Sequence, residues 1–245
     1  MSFGLLAFVT AFFASAITAP LVGRVATRFG VVDAPDGHRK LHEMPVPLTG
    51  GPTLLITIIV AVTTTLLAYP GLLAPTTNDI KFLLSLFFAG LLIVGVGIVD
   101  DRFGVRGRQK LAAQILAGII MLPSGITVRE VSILGFHMSF GDLAPIVTLL
   151  CIVGAINALN LIDGVDGLAS TTGIVLSLSI AGVTYIYGGR PDGLMISLIL
   201  AGGLSGFLIY NFPPARMFLG DSGSMLIGLV LGAVALKCSI KQYTA

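Results

Sequence analysis

Long apolar runs separated by short polar strings recur along the whole of this 245-residue chain. A bilayer core about 30 Å thick needs about 20 apolar residues per crossing helix. The pattern predicts about eight spans, at Ser2 to Gly23, Thr49 to Tyr69, Phe82 to Val99, Leu111 to Ile126, Leu143 to Leu161, Leu168 to Gly188, Leu194 to Tyr210 and Ser222 to Leu236. The first run is followed by Arg24 and Arg28. It lacks both a basic region before it and a small-residue cleavage site after it, so it reads as a retained helix rather than a signal peptide. The implied fold class is all-α, a polytopic integral membrane protein.

Composition agrees. Hydrophobic residues make up 55% and charged residues only 11% of the chain, with a mean hydropathy of +1.00, against about 25% charged residues in an average soluble domain. The 31 glycines would weaken soluble helices, but in lipid they let backbones approach closely. Gly202/Gly206 and Gly228/Gly232 have the GxxxG spacing of packing faces and allow a homodimer. Tryptophan is absent, which leaves Tyr69, Tyr185, Tyr187 and Tyr210 for any interfacial belt. Cys151 and Cys238 have no metal or disulfide spacing and are expected to be buried thiols. No nucleic-acid partner is expected.

The placement of charge adds orientation. Threading eight spans puts Arg24, Arg28, Arg39, Lys40, Arg102, Arg106, Arg108, Lys110 and Arg216 on one side, and Lys81, Arg129, Arg190, Lys237 and Lys241 on the other. The positive-inside rule makes the first side cytoplasmic and the N-terminus periplasmic. Asp33, Asp36, Glu43, Asp100, Asp101, Asp163, Asp166 and Asp221 fall on that same side, against Asp79, Glu130, Asp142 and Asp192 opposite.

Four polar strings on the cytoplasmic side carry the candidate chemistry. The first, Val31 to Pro52, is rich in Pro, Gly and basic residues. It is either a juxtamembrane loop that holds topology and anionic lipid or a phosphate clamp built from Arg39, Lys40 or a histidine. In the second, Asp100 and Asp101 close an apolar helix and basic residues come directly after. Adjacent carboxylates at a membrane boundary suit Mg²⁺, which takes one or two carboxylates plus phosphate oxygens and waters; a solvated helix end neutralised by Arg102 is the plainer alternative. The third, "NALNLIDGVDGLAS", spaces Asn157 and Asn160, then Asp163 and Asp166, by three. That spacing puts each pair on one face if the turn is helical. Asp-Gly turns are common, but they do not call for two asparagines a helical turn earlier. In the fourth, "NFPPARMFLGDSGSMLIG", Asp221, Ser222 and Ser224 open a helix after Pro213 and Pro214. Capping explains the serines better than it explains a carboxylate seated after Met217, Phe218 and Leu219. Together these strings assemble carboxylates, cations and amides on one face. Phosphoryl transfer needs such a set, and the surrounding apolar helices point to a lipid as one substrate.

The strings "DDRFG...QKLAAQ", "NALNLIDGVDGLAS" and "MFLGDSGSMLIG" resemble, in this order, the polyprenyl-phosphate N-acetylhexosamine-1-phosphate transferase family. "HRKLHEMPVPLTGG" is similar to the branch that makes undecaprenyl-pyrophosphate-linked N-acetylglucosamine for lipopolysaccharide O-antigen, enterobacterial common antigen or teichoic acid, more than to the phospho-N-acetylmuramoyl-pentapeptide branch. The resemblance implies a multi-pass protein of the bacterial inner membrane that moves GlcNAc-1-phosphate from UDP-GlcNAc to undecaprenyl phosphate, releases UMP and requires Mg²⁺ or Mn²⁺. It makes Asp100 a candidate base that deprotonates or orients the lipid phosphate. Asp101 and Asp221 become candidates for metal and pyrophosphate, with the three acids able to exchange roles. Asn157, Asn160, Asp163 and Asp166 would line the nucleotide and metal pocket, and Lys110 would contact phosphate. The resemblance also implies a single transmembrane transferase domain over residues 1–245. Family members normally continue into further spans and a loop of clustered histidines, whereas the histidines here are His38, His42 and His137. A shortened form or an inactive remnant that binds only lipid or a partner is therefore one competing reading. A transporter is the other; it predicts acids near span midpoints, whereas these cluster at span ends.

Overall fold

The computed structural model describes residues 2–35, 44–72, 77–133 and 136–239. Among these residues eight α-helices run in order: α1 (Ser2–Phe29), α2 (Gly50–Ala68), α3 (Thr77–Phe103), α4 (Gly107–Met121), α5 (Ala144–Ile162), α6 (Leu168–Ile186), α7 (Pro191–Asn211) and α8 (Gly220–Ser239). Helices are what lipid permits, because each backbone group must find its partner within the segment. Some hydroxyls inside the spans also donate to their own helix: Thr10 Oγ1 to the Leu6 carbonyl at 2.7 Å, Ser205 Oγ to the Ala201 carbonyl at 2.7 Å. Among the described residues, sheet is confined to two short antiparallel pairs, β1 (Val32–Asp33) with β2 (Val46–Pro47) and β3 (Glu130–Ile133) with β4 (Phe136–Ser139). The protein is an all-α polytopic membrane protein.

Among the described residues seven helices, rather than eight, have the length and composition to cross a membrane. The exception is α4. Its 15 residues rise only about 22 Å, because its first turn is the polar Gly107-Arg108-Gln109-Lys110 and its far end tightens at Pro123 into the 3₁₀ turn Leu122–Ser124.

Packing centres on α7 and α8, whose most apolar windows are 67% and 72% buried, against 22% for α1. Both GxxxG pairs are used inside the chain. A Cβ on Gly202 would lie 2.2 Å from the Phe8 carbonyl oxygen and one on Gly206 2.3 Å from that of Phe12, while one on Gly228 would lie 2.5 Å from Ile156 Cα. These pairs thus dock α7 on α1 and α8 on α5, and they are not free as dimer faces. Cys151 is exposed on α5 and Cys238 partly so, correcting the expectation of buried thiols: α5 is peripheral, and a thiol facing lipid needs no core.

The helix directions sort the charges by end. At one end Lys237 of α8 lies 3.0 Å from Asp192 and 3.4 Å from Asp79, over the ring of Phe82, and Arg190 donates to Asp79 at 2.7 Å. Asp192 and Lys237 are buried there. The opposite end holds the acids of the four polar strings that the structure describes.

Candidate active site

That opposite end is formed by the C-termini of α3, α5 and α7 and the N-termini of α2, α4, α6 and α8. Backbone pairing fixes its geometry. Thr49 N–H donates to the Phe218 carbonyl at 3.0 Å, Gly50 N–H to Leu219 at 3.1 Å, and Phe218 N–H to Pro47 at 3.0 Å. The entry to α8 is thereby stitched to the entry to α2. The first turn of α8 is then seated against glycine: a Cβ on Gly97 would lie 2.3 Å from Ser222 Cα, and one on Gly51 2.5 Å from Ser222 Cβ. Only side-chain-free positions on α2 and α3 admit α8 so closely.

A cavity of about 830 Å³ opens here, with Asp33, Asp100, Asp101, Asp163, Asp166 and Asp221 among its lining residues. On α3, Asp100 accepts from Val105 N–H at 2.6 Å and faces Lys110 Nζ at 2.6 Å. The same ammonium lies 3.0 Å from Asp221. Burial pulls the Lys110 amine down, but the two carboxylates outweigh it and hold its pKa above the ordinary lysine value. Asn160 donates to the Asp221 carboxylate and, at 3.0 Å, to Ser224 Oγ. Both oxygens of Asp101 face the start of α8, accepting from Asp221 N–H at 2.7 Å, Ser222 N–H at 3.3 Å and Ser222 Oγ at 2.8 Å.

The 163–167 turn is not helical, so its two aspartates diverge. Asp166 accepts from Ala215 N–H at 2.9 Å and ties down the Pro213-Pro214 wall. Asp163, the residue that caps the C-terminus of α5, stays in the cavity. Burial first, then the charges of Asp221 and Asp101, push its carboxyl up to about 8 against the lowering bond to Ser224.

Of the residues read from sequence, Asp100, Asp101, Asn160, Asp163, Asp166 and Asp221 line the cavity, and Asn157 and Lys110 are not among its lining residues. Asn157 turns into the helix interface, donating to Gln114 Oε1 at 2.6 Å and to the Val153 carbonyl at 2.8 Å. Lys110 bridges Asp100 and Asp221. Arg39 and Lys40 lie outside the described residues. Asp33, Gln114 and Asn211 were not singled out by sequence. Asn211 lines the cavity, accepts from Ser170 Oγ at 2.7 Å and donates to the Met217 carbonyl at 3.0 Å. Gln114 and Asn211 share a legible signal, an amide inside an apolar run, while Asp33, sorted to this end with the other acids, lies on β1 where it pairs with β2.

The glycosyl transferase family 4 pattern matches residues 83–239, which is most of the chain and includes every described lining residue except Asp33 and Leu48. The chain belongs to glycosyl transferase family 4. Within this family, it is 31% identical over 240 residues to a probable undecaprenyl-phosphate N-acetylglucosaminyl 1-phosphate transferase of Bacillus subtilis, covering 97% of this chain and 64% of the relative. It is 36% identical over 246 residues to a decaprenyl-phosphate N-acetylglucosaminephosphotransferase of Mycobacterium tuberculosis, covering 95% and 58%. It is 36% identical over 212 residues to a phospho-N-acetylmuramoyl-pentapeptide-transferase of Moorella thermoacetica, covering 83% and 64%. The family 4 chain thus spans less than two thirds of the length of each of these relatives. The family expected from the sequence strings is the family found.

The cavity's donor set fits a hard divalent cation. Its described lining offers carboxylates and amides but no lysine or arginine, and the Asp163 carboxyl is pushed up first by burial and then by the charges of Asp221 and Asp101. Among the described residues no three His, Cys, Asp or Glu side chains converge as a closed metal cage. Mg²⁺ needs none, since it is held by one or two carboxylates together with substrate phosphates and water.

Proposed function

We propose that this chain carries the transferase centre for N-acetylhexosamine-1-phosphate, most simply GlcNAc-1-phosphate, with a UDP-sugar as donor and undecaprenyl phosphate as acceptor, at the cytoplasmic face of a bacterial inner membrane. The observation that carries this reading is the convergence of acids from all four polar strings on one cavity at the end of a bundle of membrane helices. The similarity to polyprenyl-phosphate transferases supports it. In the reaction an oxygen of the lipid phosphate bonds to the β-phosphorus of the donor, the bond from that phosphorus to the bridging oxygen breaks, and the electron pair leaves on UMP.

Each side chain has a distinct part. A phosphate monoester is already largely dianionic at pH 7, with a second pKa of about 6. Asp100 therefore orients more than it deprotonates, and its carboxylate fixes Lys110 beside Asp221. Lys110 offsets the two acids from behind, so that they coexist. Asp221 and Asp163 are the carboxylates that would hold Mg²⁺ or Mn²⁺, which when bound neutralises the diphosphate charge that would repel the incoming lipid phosphate. Asn160 aims Asp221, and Asp166 holds the wall against which the nucleotide packs. Arg39 and Lys40 are the proposed contacts to the donor's phosphates. The role in lipopolysaccharide O-antigen or related envelope polysaccharide assembly belongs to the same proposal.

The test is isotope exchange in purified protein: labelled UMP entering UDP-GlcNAc, with undecaprenyl phosphate and Mg²⁺ each present or omitted. Exchange that needs both is the expected result. Folded protein that binds lipid yet exchanges nothing overturns the reading for this chain.

A further inference from the structure

The N-terminus of α8 has a supply problem. The first N–H groups of a helix have no partner within it, and at the boundary of a lipid core an unmet backbone donor is expensive. The residue before the first carboxylate of α8 is Gly220, at φ +71°, with no side chain to offer. The donors are instead met from another helix, by Asp101 of α3: Asp221 N–H at 2.7 Å, Ser222 N–H at 3.3 Å and Ser222 Oγ at 2.8 Å. These three bonds take most of the roughly four lone-pair sites of a carboxylate. The contact requires glycine on both sides. A Cβ at Gly220 would lie 2.8 Å from Asp101 Oδ2, and one at Gly97, a helical turn before Asp101, would lie 2.3 Å from Ser222 Cα. A carboxylate at a helix N-terminus is also favoured by the helix dipole.

The geometry points to Asp101 as a positioning residue that acts through α8, capping it across the helix interface and so aiming the Asp221 side chain at Lys110, Asn160 and the cavity, rather than as a ligand for the cation. Its neighbour Asp100 has a different set of partners, Val105 N–H and Lys110, so the adjacent acids divide the work. One organises the α3–α4 turn and its lysine, and the other organises α8. The kinetic consequence rests on the transferase reading; the cap itself does not.

The experiment compares Asp101→Asn, Asp101→Ala and Asp221→Asn in the detergent-purified full chain. An asparagine keeps one acceptor oxygen, enough for the 2.7 Å bond from Asp221 N–H, and its amide can donate to Ser222 Oγ, whereas an alanine keeps neither bond. Amide exchange of the peptide over residues 217–226 is therefore expected to stay within about threefold of wild type in Asp101→Asn and to rise about tenfold or more in Asp101→Ala. Mn²⁺ affinity, read by electron paramagnetic resonance, is expected to change by about fivefold or less in Asp101→Asn and to fall by about tenfold or more in Asp221→Asn, the range seen when groups around a metal are altered. Where exchange activity is measurable, Asp101→Asn retains turnover, and Asp101→Ala loses kcat with KM for the UDP-sugar little changed. Loss of Mn²⁺ binding in Asp101→Asn equal to that in Asp221→Asn, or undisturbed amides at 217–226 in Asp101→Ala, overturns the proposal. If Asp101→Ala does not fold, Asp101→Asn decides alone, since a ligand role predicts weakened cation binding and a cap role predicts protected amides. A wild-type protein without exchange activity counts against the transferase reading, while the amide arm still decides the role of Asp101.

Discussion

Cation binding in the cavity should release a proton, and the Asp163 carboxyl sets the window. With its pKa pushed up to about 8 by burial and by the charges of Asp221 and Asp101, Asp163 is protonated at neutral pH in the cation-free protein. A divalent cation that takes this carboxylate must first displace the proton. At pH 6 the group sits about 2 units below its midpoint, and at about 1.36 kcal/mol per unit the displacement costs about 2.7 kcal/mol, roughly a hundredfold in affinity. The apparent Kd for Mn²⁺ should therefore fall about tenfold per pH unit from pH 6 toward 8 and level off above it. Stability runs in the opposite sense. The folded-state pKa lies above the ordinary 3.8, so the folded protein keeps a proton that the unfolded chain has lost. Without cation, the stabilising contribution is complete below about pH 4 and is lost as pH rises through about 8. Titration calorimetry in two buffers of different ionisation enthalpy, paired with paramagnetic resonance of Mn²⁺ between pH 6 and 9, reads both the affinity and the proton count. Asp163→Asn should flatten the profile. A wild-type Kd that is level from pH 6 to 8, or a slope that persists in Asp163→Asn, would refute the electrostatic argument.

Three further outcomes are expected. Lys237→Met leaves Asp192 buried without its 3.0 Å partner and should destabilise the protein by about 3–5 kcal/mol, seen as a lower thermal midpoint in detergent, while metal binding at the far end of α8 is retained. Gly97→Ala puts a methyl 2.3 Å from Ser222 Cα; the forced shift of α8 should lower stability by about 1–3 kcal/mol and impair UMP exchange out of proportion to that loss. Gln114→Leu leaves Asn157 without its 2.6 Å acceptor and should cost about 1–3 kcal/mol, measured by thermal unfolding, with KM for the UDP-sugar unchanged because Asn157 faces a helix rather than the cavity.

The sequence by itself determined which residues share an end. The apolar runs reverse direction at each polar string, the short α4 included, so counting all eight assigns Asp100, Asp163 and Asp221 to one end and Asp79 and Asp192 to the other before any packing is known. Family membership was equally legible, because the three strings are contiguous and their order survives in the chain. The rotation of each helix about its own axis was not legible. Asn157 and Asn160 sit three apart on α5, yet one pairs with Gln114 and the other with Asp221, since about 60° of helical phase is enough to move a side chain from an interface to a cavity. Asp101 looks like Asp100 in the sequence and differs from it only because Gly97, Gly51 and Gly220 let α8 approach within its reach. The shortness of α4, the inward use of both GxxxG pairs and the buried partners of Lys237 were settled in the same way. In an apolar chain, hydrophobicity fixes depth along the bilayer normal, but it is the same on every side of a helix. Orientation around the axis is left to close packing and to the few polar groups that must find one another, and those contacts exist only in the assembled structure.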